Sequence, residues 1–455
     1  MHSILLILPL LLGAPDDAPL TLDDALTAAA KANVELRIAG TDRSLAGVDE
    51  YGSYAGVLPR LDLSATFGGV YTAPSIQNIS TIKSLTPNPD GSFSVNYELS
   101  LQEVPGQYLE NYAFGLALKV PLFDGMRNWA TIAKYKALLR AADKTYDEAS
   151  LTVAFQVTQR FYEVVRAERS LKVLQEAVKR SEELVRRTNA LYEAGRAPRS
   201  DTYAARVTLG NDRIAAEQQL SRVSDARVAL AVALGRRADP DLGVIPPAAL
   251  DTTTFQEPPP QEALVDLARR KRPLLAADAQ RIRAATEEVT VAQAGYWPAV
   301  SAQAAYNRQG PYLAGTQGVY GDPTGQYVAS FGILVNWNLF EGRATSAAVQ
   351  RASLLEERTK LQSEQDLLNV TSEIARSRTG YKVLSTSATL AEENLKSARE
   401  SLLLAERRFD AGAATQVEIR DALLNLTRAE LSLLTARIDA IIARADLNRA
   451  VGGAL

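Results

Sequence analysis

The chain has 455 residues, of which 46% are hydrophobic and 23% charged, a composition typical of a folded protein with room for two or three domains. Its 50 Lys and Arg residues nearly balance 53 Asp and Glu residues, and the net charge of -3 argues against nucleic-acid binding. Cysteine is absent and His2 is the only histidine, which excludes disulfides, thiolate chemistry, a Ser-His-Asp triad and a His-rich metal site. We therefore expect no catalytic residues, no cofactor and no metal.

The chain opens with an apolar run, ILLILPLLL, at residues 4–12. This run is too short to cross a bilayer as a helix, and a signal peptide over residues 1–14 is the favoured interpretation; a wrongly assigned start is the alternative. No other window holds the roughly 18 apolar residues of a transmembrane helix, so a membrane location would require strands.

The sequence contains an internal duplication. The motif FGLALKVPLFDG at 114–125 recurs as FGILVNWNLFEG at 331–342. The Ala-Gly pair at 194–195 and the Leu-Gly pair at 234–235 have counterparts at 411–412 and 451–452, which is the same offset. The pattern predicts one repeat at 20–236 and another at 261–455, joined by a Pro-rich linker at 237–260.

Within each repeat, small and apolar residues at alternating steps of three and four predict a long helix and a shorter return helix. The predicted helices are 126–194 and 196–234 in the first repeat, and 343–411 and 413–451 in the second. At 1.5 Å per residue the long helices would reach about 100 Å. Gly195 and Gly412 are expected to take the left-handed conformation that ends a helix.

Upstream of each long helix, apolar residues recur at every second position. This alternation predicts strands at about 58–71 and 112–122, and at about 298–306 and 327–339. One face of these strands is apolar and the other small or polar, with aromatic residues near the ends, as in a lipid-facing wall. An ordinary sandwich or hairpin packed on a core is the alternative. The segments 72–111 and 307–326 are predicted to be polar surface loops, the first with 22 extra residues.

Four strands cannot close a barrel alone, because unpaired strand edges are not tolerated in hydrocarbon. An obligate oligomer is therefore expected, with eight strands from two chains or twelve from three.

These features, in this order, resemble the TolC-like outer-membrane efflux family of outer membrane factors. The resemblance covers the opening LTLDDAL at 20–26, both Pro-led strand starts, both Phe-acid-Gly junctions and both Ala-Gly turns. It implies a mainly α fold with a membrane β part: a homotrimer that shares one twelve-stranded barrel in outer-membrane lipid and a coiled-coil-like helical tunnel in the periplasm. It also implies a passive exit duct, not an enzyme, that docks onto a periplasmic adaptor and an inner-membrane pump of RND, ABC or MFS type.

The resemblance further implies a periplasmic gate. Relatives carry a ring of carboxylates at the sixth and ninth residues after the second turn glycine, which here are Glu418 and Asp421. Spaced i, i+3, they share a helix face, and a ring of such acids would attract cations. The alternative is that both acids simply belong to a solvated helix face.

An acid that helps to lock neighbouring helices in relatives matches Asp201. Ala414 stands where the best-known relative has an arginine, so Arg199 or Arg420 would have to replace that partner.

The helical turns are the expected docking points for the adaptor; they comprise Gly195, Arg196, Gly412 and Ala413. At the strand-to-helix junctions, Asp124 is expected to cap backbone N–H groups, whereas Glu341 is a poor cap but a favourable charge.

Two other functions compete with the exit duct. A periplasmic coiled-coil adaptor or scaffold without a barrel would explain the helices but not the strands. An enzyme would use Glu418 and Asp421 as acid and base, which requires a pocket that separates their pKa values.

Overall fold

The computed structural model describes residues 19–251, 254–314, 318–320, 327–411 and 413–454. The signal peptide predicted at 1–14 and the turn residue Gly412 lie outside the described residues. The chain divides into two compact units. One unit contains the residues before Glu50 together with Tyr135–Ala285 and Leu355–Leu455, and the other contains Glu50–Lys134 and Thr286–Leu354.

Eight α-helices occur in the described part of the chain. In chain order they are α1 (Leu22–Ala32), α2 (Val34–Ser53), α3 (Arg127–Glu193), α4 (Arg199–Ala233), α5 (Gln261–Lys271), α6 (Pro273–Gln293), α7 (Ala344–Asp410) and α8 (Gln416–Val451). The helices α3, α4, α7 and α8 begin and end within three residues of the positions expected from the repeats. No helix among the described residues is long and apolar enough to cross a membrane.

The sequence analysis assigned no helices to α1, α2, α5 and α6. A signal for α1 is present in the sequence, because Thr21 and Asp24 form a capping box in which the Asp24 N–H donates to Thr21 Oγ1 over 3.2 Å. Residues of the segment predicted as a linker, 237–260, pack against α3 in the unit that contains Tyr135–Ala285. Leu242, Val244 and Leu250 are buried in the same core as Phe161 of α3.

The duplication is visible in the ends of the return helices. The Gly235 backbone has φ +74°, and its counterpart Gly452 in the second repeat has φ +90°. Beside them, Asn33 Nδ2 donates to the Ala233 carbonyl over 2.8 Å, and Arg272 Nη1 donates to the Ala450 carbonyl over 2.9 Å. An orphan carbonyl at the end of each return helix is thus satisfied by a buried side chain from the start of the same repeat.

The helical seam predicted for the second repeat is the buried face of α7: Ala388, Ala391, Leu395 and Leu402 are all buried. In the first repeat, Ser181 and Thr188 of the predicted seam on α3 are buried, whereas its members Leu171, Leu174, Val178 and Val185 are half-buried. Ala177 and Leu184, outside the predicted seam, are buried as well, so the seam of α3 is confirmed only in part.

The other unit is built on strands. These are β1 (Arg60–Thr72), β2 (Ser75–Pro87), β3 (Phe93–Val104), β4 (Gln107–Phe123), β5 (Ala299–Gly310), β6 (Tyr312–Ala314), β7 (Gly318–Tyr320) and β8 (Tyr327–Asn336). Four of them form one antiparallel sheet in the order β1-β4-β5-β8. Its outer strands are β1 and β8, and nearly every side chain of both is exposed.

The first predicted surface loop, at 72–111, is wrong as a loop assignment. This segment contains β2 and β3, which pair with each other from Ser75–Val104 to Pro87–Phe93, with one bulge between Ile82 and Ser84. The turn between them includes Asp90 and Gly91, and the Gly91 backbone has φ +80°, so the Asp-Gly pair is a hairpin signal rather than a loop signal. The short strands β6 and β7, paired in parallel, lie within the second predicted loop at 307–326.

Both strand-to-helix junctions use two consecutive left-handed residues. Gly125 and Met126 have φ values of +71° and +70°, and Gly342 and Arg343 have +58° and +72°. As expected, the Asp124 carboxylate accepts a hydrogen bond from the Asn128 N–H over 2.8 Å, close to the start of α3. Glu341 instead accepts from the side chains of Asn338 and Thr345.

Candidate functional site at the helical turns

The turn between α3 and α4 reverses the chain through Gly195, whose backbone has φ +70°. The Arg196 N–H donates to the Leu191 carbonyl over 2.8 Å, the bond that closes a Schellman motif. The turn between α7 and α8 has the same bond at the equivalent place in the second repeat, because the Ala413 N–H donates to the Arg408 carbonyl over 2.7 Å. The two turns therefore end their helices in the same way.

Glu418, the first expected gate acid, is held close to its own helix start. Its N–H donates to Thr415 Oγ1 over 3.4 Å, and its carboxylate accepts from the Thr415 N–H over 3.4 Å, which completes a capping box for α8. Arg408 Nη1 of α7 lies 3.2 Å from Glu418 Oε2. The carboxylate therefore has a structural role in addition to any role in a pore.

Asp421, the second expected gate acid, lies one turn further along α8. Its nearest cation is Arg420 Nη2, at 3.2 Å, and 57% of the Asp421 side chain is exposed. Ile419 and Ala422 are buried, whereas Glu418 and Asp421 are exposed. Both acids thus lie on the face of α8 that points away from the core of the chain.

The expected lock is not formed within the described part of the chain. Arg420 pairs with Asp421, and Arg199 lies over the Tyr203 ring at 5.6 Å. The Asp201 carboxylate accepts only a long hydrogen bond, 3.4 Å, from Ser200 Oγ. Asp201 is in the first turn of α4, where its charge is favourable to the helix dipole.

Gln416 is a residue of the turns that the sequence analysis missed. It is buried, and its Nε2 donates to Thr188 Oγ1 over 3.3 Å and to the Asp201 carbonyl over 2.9 Å. This amide therefore joins α8 to both α3 and α4. Its position in the helix was the available signal. Residue 416 lies three positions before the apolar series Ile419, Ala422 and Leu426, and so falls on the same, buried face of α8.

Two further groups of contacts hold the turns together. Arg187 of α3 forms an ion pair with Asp410 at the end of α7. A small core made by Leu184, Ala205 and Ile419 joins α3, α4 and α8. Above this core a cavity of about 460 Å³ is bordered by the same three helices, with Arg420 and Asp421 in its wall.

The family described as Outer membrane efflux protein matches residues 53–236 and 264–453, one stretch in each repeat. The chain belongs to this family. It is 21% identical over 372 residues to the outer membrane protein TolC of Vibrio cholerae, a match that covers 80% of this chain and 82% of that protein. It is 22% identical over 344 residues to the toluene efflux pump outer membrane protein TtgC of Pseudomonas putida, covering 74% and 67%.

Solved structures of outer membrane channels share the fold of this outer membrane efflux protein. The CmeC channel of Campylobacter jejuni has a TM-score of 0.75 at 18% identity and covers 95% of this chain and 85% of that one. The open state of the MtrE channel of Neisseria gonorrhoeae has a TM-score of 0.74 at 19% identity, covering 95% and 89%. The expected mainly helical fold with four strands in one sheet is confirmed.

Family membership also decides between the competing functions. This outer membrane efflux protein is an outer-membrane channel protein that extends into the periplasm, and not a free periplasmic adaptor. Its relatives are channel proteins rather than enzymes, which disfavours a role for Glu418 and Asp421 as acid and base.

Proposed function

We propose that three copies of this chain form one exit duct, which passively conducts cargo from an inner-membrane pump and its periplasmic adaptor to the exterior. The observation that carries the proposal is the open four-stranded sheet. Within the described residues its outer strands β1 and β8 each pair with one strand only, and an open edge in hydrocarbon would leave backbone groups unsatisfied.

The direction of the strands suits closure by identical copies. All three ladders of the sheet are antiparallel, so the outer strands β1 and β8 run in opposite directions. An edge of one copy can therefore pair antiparallel with the opposite edge of the next, and rotation repeats this pairing until the ring closes. Three copies would give twelve strands, a size that exists among single-chain outer-membrane barrels.

The helical unit carries a second surface suited to other copies. Large apolar side chains on the exposed side of α7 are spaced by seven residues or multiples of seven within two groups: Leu361 with Leu368, and Val383 with Leu390 and Leu404. A seam with this period is typical of helices that pack against a partner helix. Because these residues are exposed in a single chain, a neighbouring copy is their proposed partner.

The subunit count and the docking partner can be tested with the same preparation. Native mass spectrometry in detergent is expected to give three chains, and a stable monomer would contradict the shared barrel. A photo-crosslinking residue at Arg196 or Ala413, in the exposed turns, is expected to capture a periplasmic adaptor of an RND, ABC or MFS pump in cells. The same crosslinker at exposed Leu361 should capture a second copy of the chain instead, which provides the matched control.

For the gate, we infer that Glu418 and Asp421 of three copies form an acidic constriction, with Asp201 and an Arg199 or Arg420 side chain of a neighbouring copy as its lock. The support is that both acids are exposed on α8 close to the turn. A ring of six carboxylates would hold cations and repel anions.

Replacing Glu418 by Gln together with Asp421 by Asn is expected to weaken block by divalent cations and to reduce cation preference in planar-bilayer recordings. Glutamine can keep the capping box with Thr415, so Glu418→Gln removes the charge without removing the cap. Glu418→Ala removes both the charge and the cap. It should therefore be less stable than Glu418→Gln, and this difference separates the capping role from the role of the charge. Unchanged selectivity and block in the Gln/Asn variant would show that these acids do not line the constriction.

A further inference from the structure

The hairpin of β2 and β3 has one apolar and one polar face. Cross-strand pairs such as Ile82 with Tyr97 and Leu85 with Val95 place side chains on the same face. The apolar face carries Ile76, Ile82, Leu85, Pro87, Phe93, Val95, Tyr97, Leu99 and Leu101, together with the polar residues Asn78, Ser80 and Glu103. The opposite face is dominated by Ser, Thr, Asn, Gln and Glu. Leu99 and Leu101 are 75% and 74% exposed, so none of the residues that the structure describes covers them.

The size of this face is large for an exposed apolar surface. Two strands of about twelve residues give a face about 40 Å long and 10 Å wide, or about 400 Å². The largest apolar patch on a protein surface is commonly about this size and is often functional. Glu103 is the one charged residue among the paired positions of this face, so an apolar partner fits it best.

The register shows which side of the wall this face is on. The last pair of the β1–β4 ladder is Thr72 with Gln107, and the first pair of the β2–β3 ladder is Ser75 with Val104. Two residues separate the ladders on each strand, so the alternation of side chains continues in phase. The apolar side of β1 holds odd-numbered residues such as Leu61 and Phe67. That of β2 holds the even-numbered residues Ile76 and Ile82 up to the bulge at residue 83, and Leu85 and Pro87 beyond it. The apolar face therefore changes sides between the two ladders.

Lipid does not suit this face. A transmembrane strand needs about 9–11 residues, and β1 alone has 13, so β2 and β3 lie beyond the hydrocarbon. The lipid-facing side of β1 and β4 is also the opposite side, the one that carries Leu61, Phe67 and their partners Leu118 and Tyr112. The apolar face of the hairpin follows the inner, polar side of the wall.

We propose that three copies of the β2–β3 hairpin pack their apolar faces against one another over the outer mouth of the duct and close it until cargo separates them. This rests on the proposed trimer, because only rotation about a shared axis brings three inner sides together. A second and third copy are the occupants that fit, since they are apolar, of the same length, and joined to the same ring of strands. The polar faces then point to water.

Single thiols test the packing, because the chain has no cysteine of its own. Leu99 and Ser100 are adjacent and lie on opposite faces, so Leu99→Cys and Ser100→Cys form a matched pair. With a short bismaleimide, purified Leu99→Cys is expected to give covalent dimers on a denaturing gel, while Ser100→Cys stays monomeric. Tyr97→Cys and Leu101→Cys repeat the test on the same face, in case one position is badly aligned.

Native mass spectrometry of the same variants separates this inference from the trimer itself. If the protein has three chains but residues 97, 99 and 101 give no crosslinks, the hairpin packing is wrong and the proposed trimeric duct is unaffected. Equal crosslinking from residues 99 and 100 would also overturn it, because it would indicate random collision. A species smaller than a trimer would remove both proposals. In bilayers, the triple change Tyr97→Ser, Leu99→Ser and Leu101→Ser should raise conductance, while Glu98→Gln should not.

Discussion

Replacing Arg272 by alanine is expected to cause a large loss of stability, about 3 kcal/mol, because it leaves the largely buried Glu148 carboxylate without its cation. The Arg272 side chain is only 5% exposed, and its guanidinium lies 3.0 Å from Glu148 and 2.6 Å from Glu373. It also donates to the Ala450 carbonyl over 2.9 Å. Without the cation, Glu148 would lose its ion pair and one helix end would lose its hydrogen bond, whereas Glu373 would keep Arg449, whose Nη2 lies 2.5 Å away.

The measurement is thermal unfolding in detergent, followed by circular dichroism at a fixed scan rate because membrane proteins often unfold irreversibly. Arg43→Ala is the matched control. Arg43 pairs with Asp143 over 2.6 Å, but the two side chains are 53% and 38% exposed. Such a pair contributes at most about 1 kcal/mol. Equal losses in the two variants would show that burial of Arg272 has no special role.

Gly235→Ala is expected to have a similarly large effect at the end of α4. The Gly235 backbone has φ +74°, where an L-residue costs about 1–2 kcal/mol. A Cβ atom there would also lie 2.2 Å from the Ala32 carbonyl oxygen and 2.6 Å from its carbon. Because both atoms are backbone, α1 would have to move away from the end of α4, and the loss should exceed the conformational cost alone.

Gly195→Ala separates the two contributions. The Gly195 backbone has φ +70°, but a Cβ atom there would have no neighbour within 4 Å. It should therefore lose only the conformational cost, and its melting temperature should fall less than that of Gly235→Ala. If the two variants had the same melting temperature, the close approach of α1 to residue 235 would add nothing to the cost of the substitution.

The helices could be read from the sequence because their signal is long and repeated. The constant offset between the repeats located the turns at Gly195 and Gly235, and the return helices end at left-handed glycines in both repeats. The β2–β3 hairpin was missed for the opposite reason. Its apolar residues alternate with Ser, Asn and Gln and are bordered by prolines, so composition outweighed the period of two.

Only part of the candidate gate could be predicted from the sequence. Spacing placed Glu418 and Asp421 on one face of α8, and both are indeed exposed. The spacing of Thr415 and Glu418 is itself a capping-box signal, which was overlooked. Spacing could not reveal the ion pair of Glu418 with Arg408, because this contact depends on how the turn brings α7 back to α8. Gln416 was missed because a lone amide carries no motif, although it joins three helices.

The two repeats close their return helices with different chemistry at equivalent places, a neutral amide at Asn33 and a cation held by two carboxylates at Arg272. Loss of the amide would leave one carbonyl without its hydrogen bond, whereas loss of the cation would also leave Glu148 without its ion pair. Equivalent substitutions at the ends of the two return helices are therefore expected to differ in how much stability they remove.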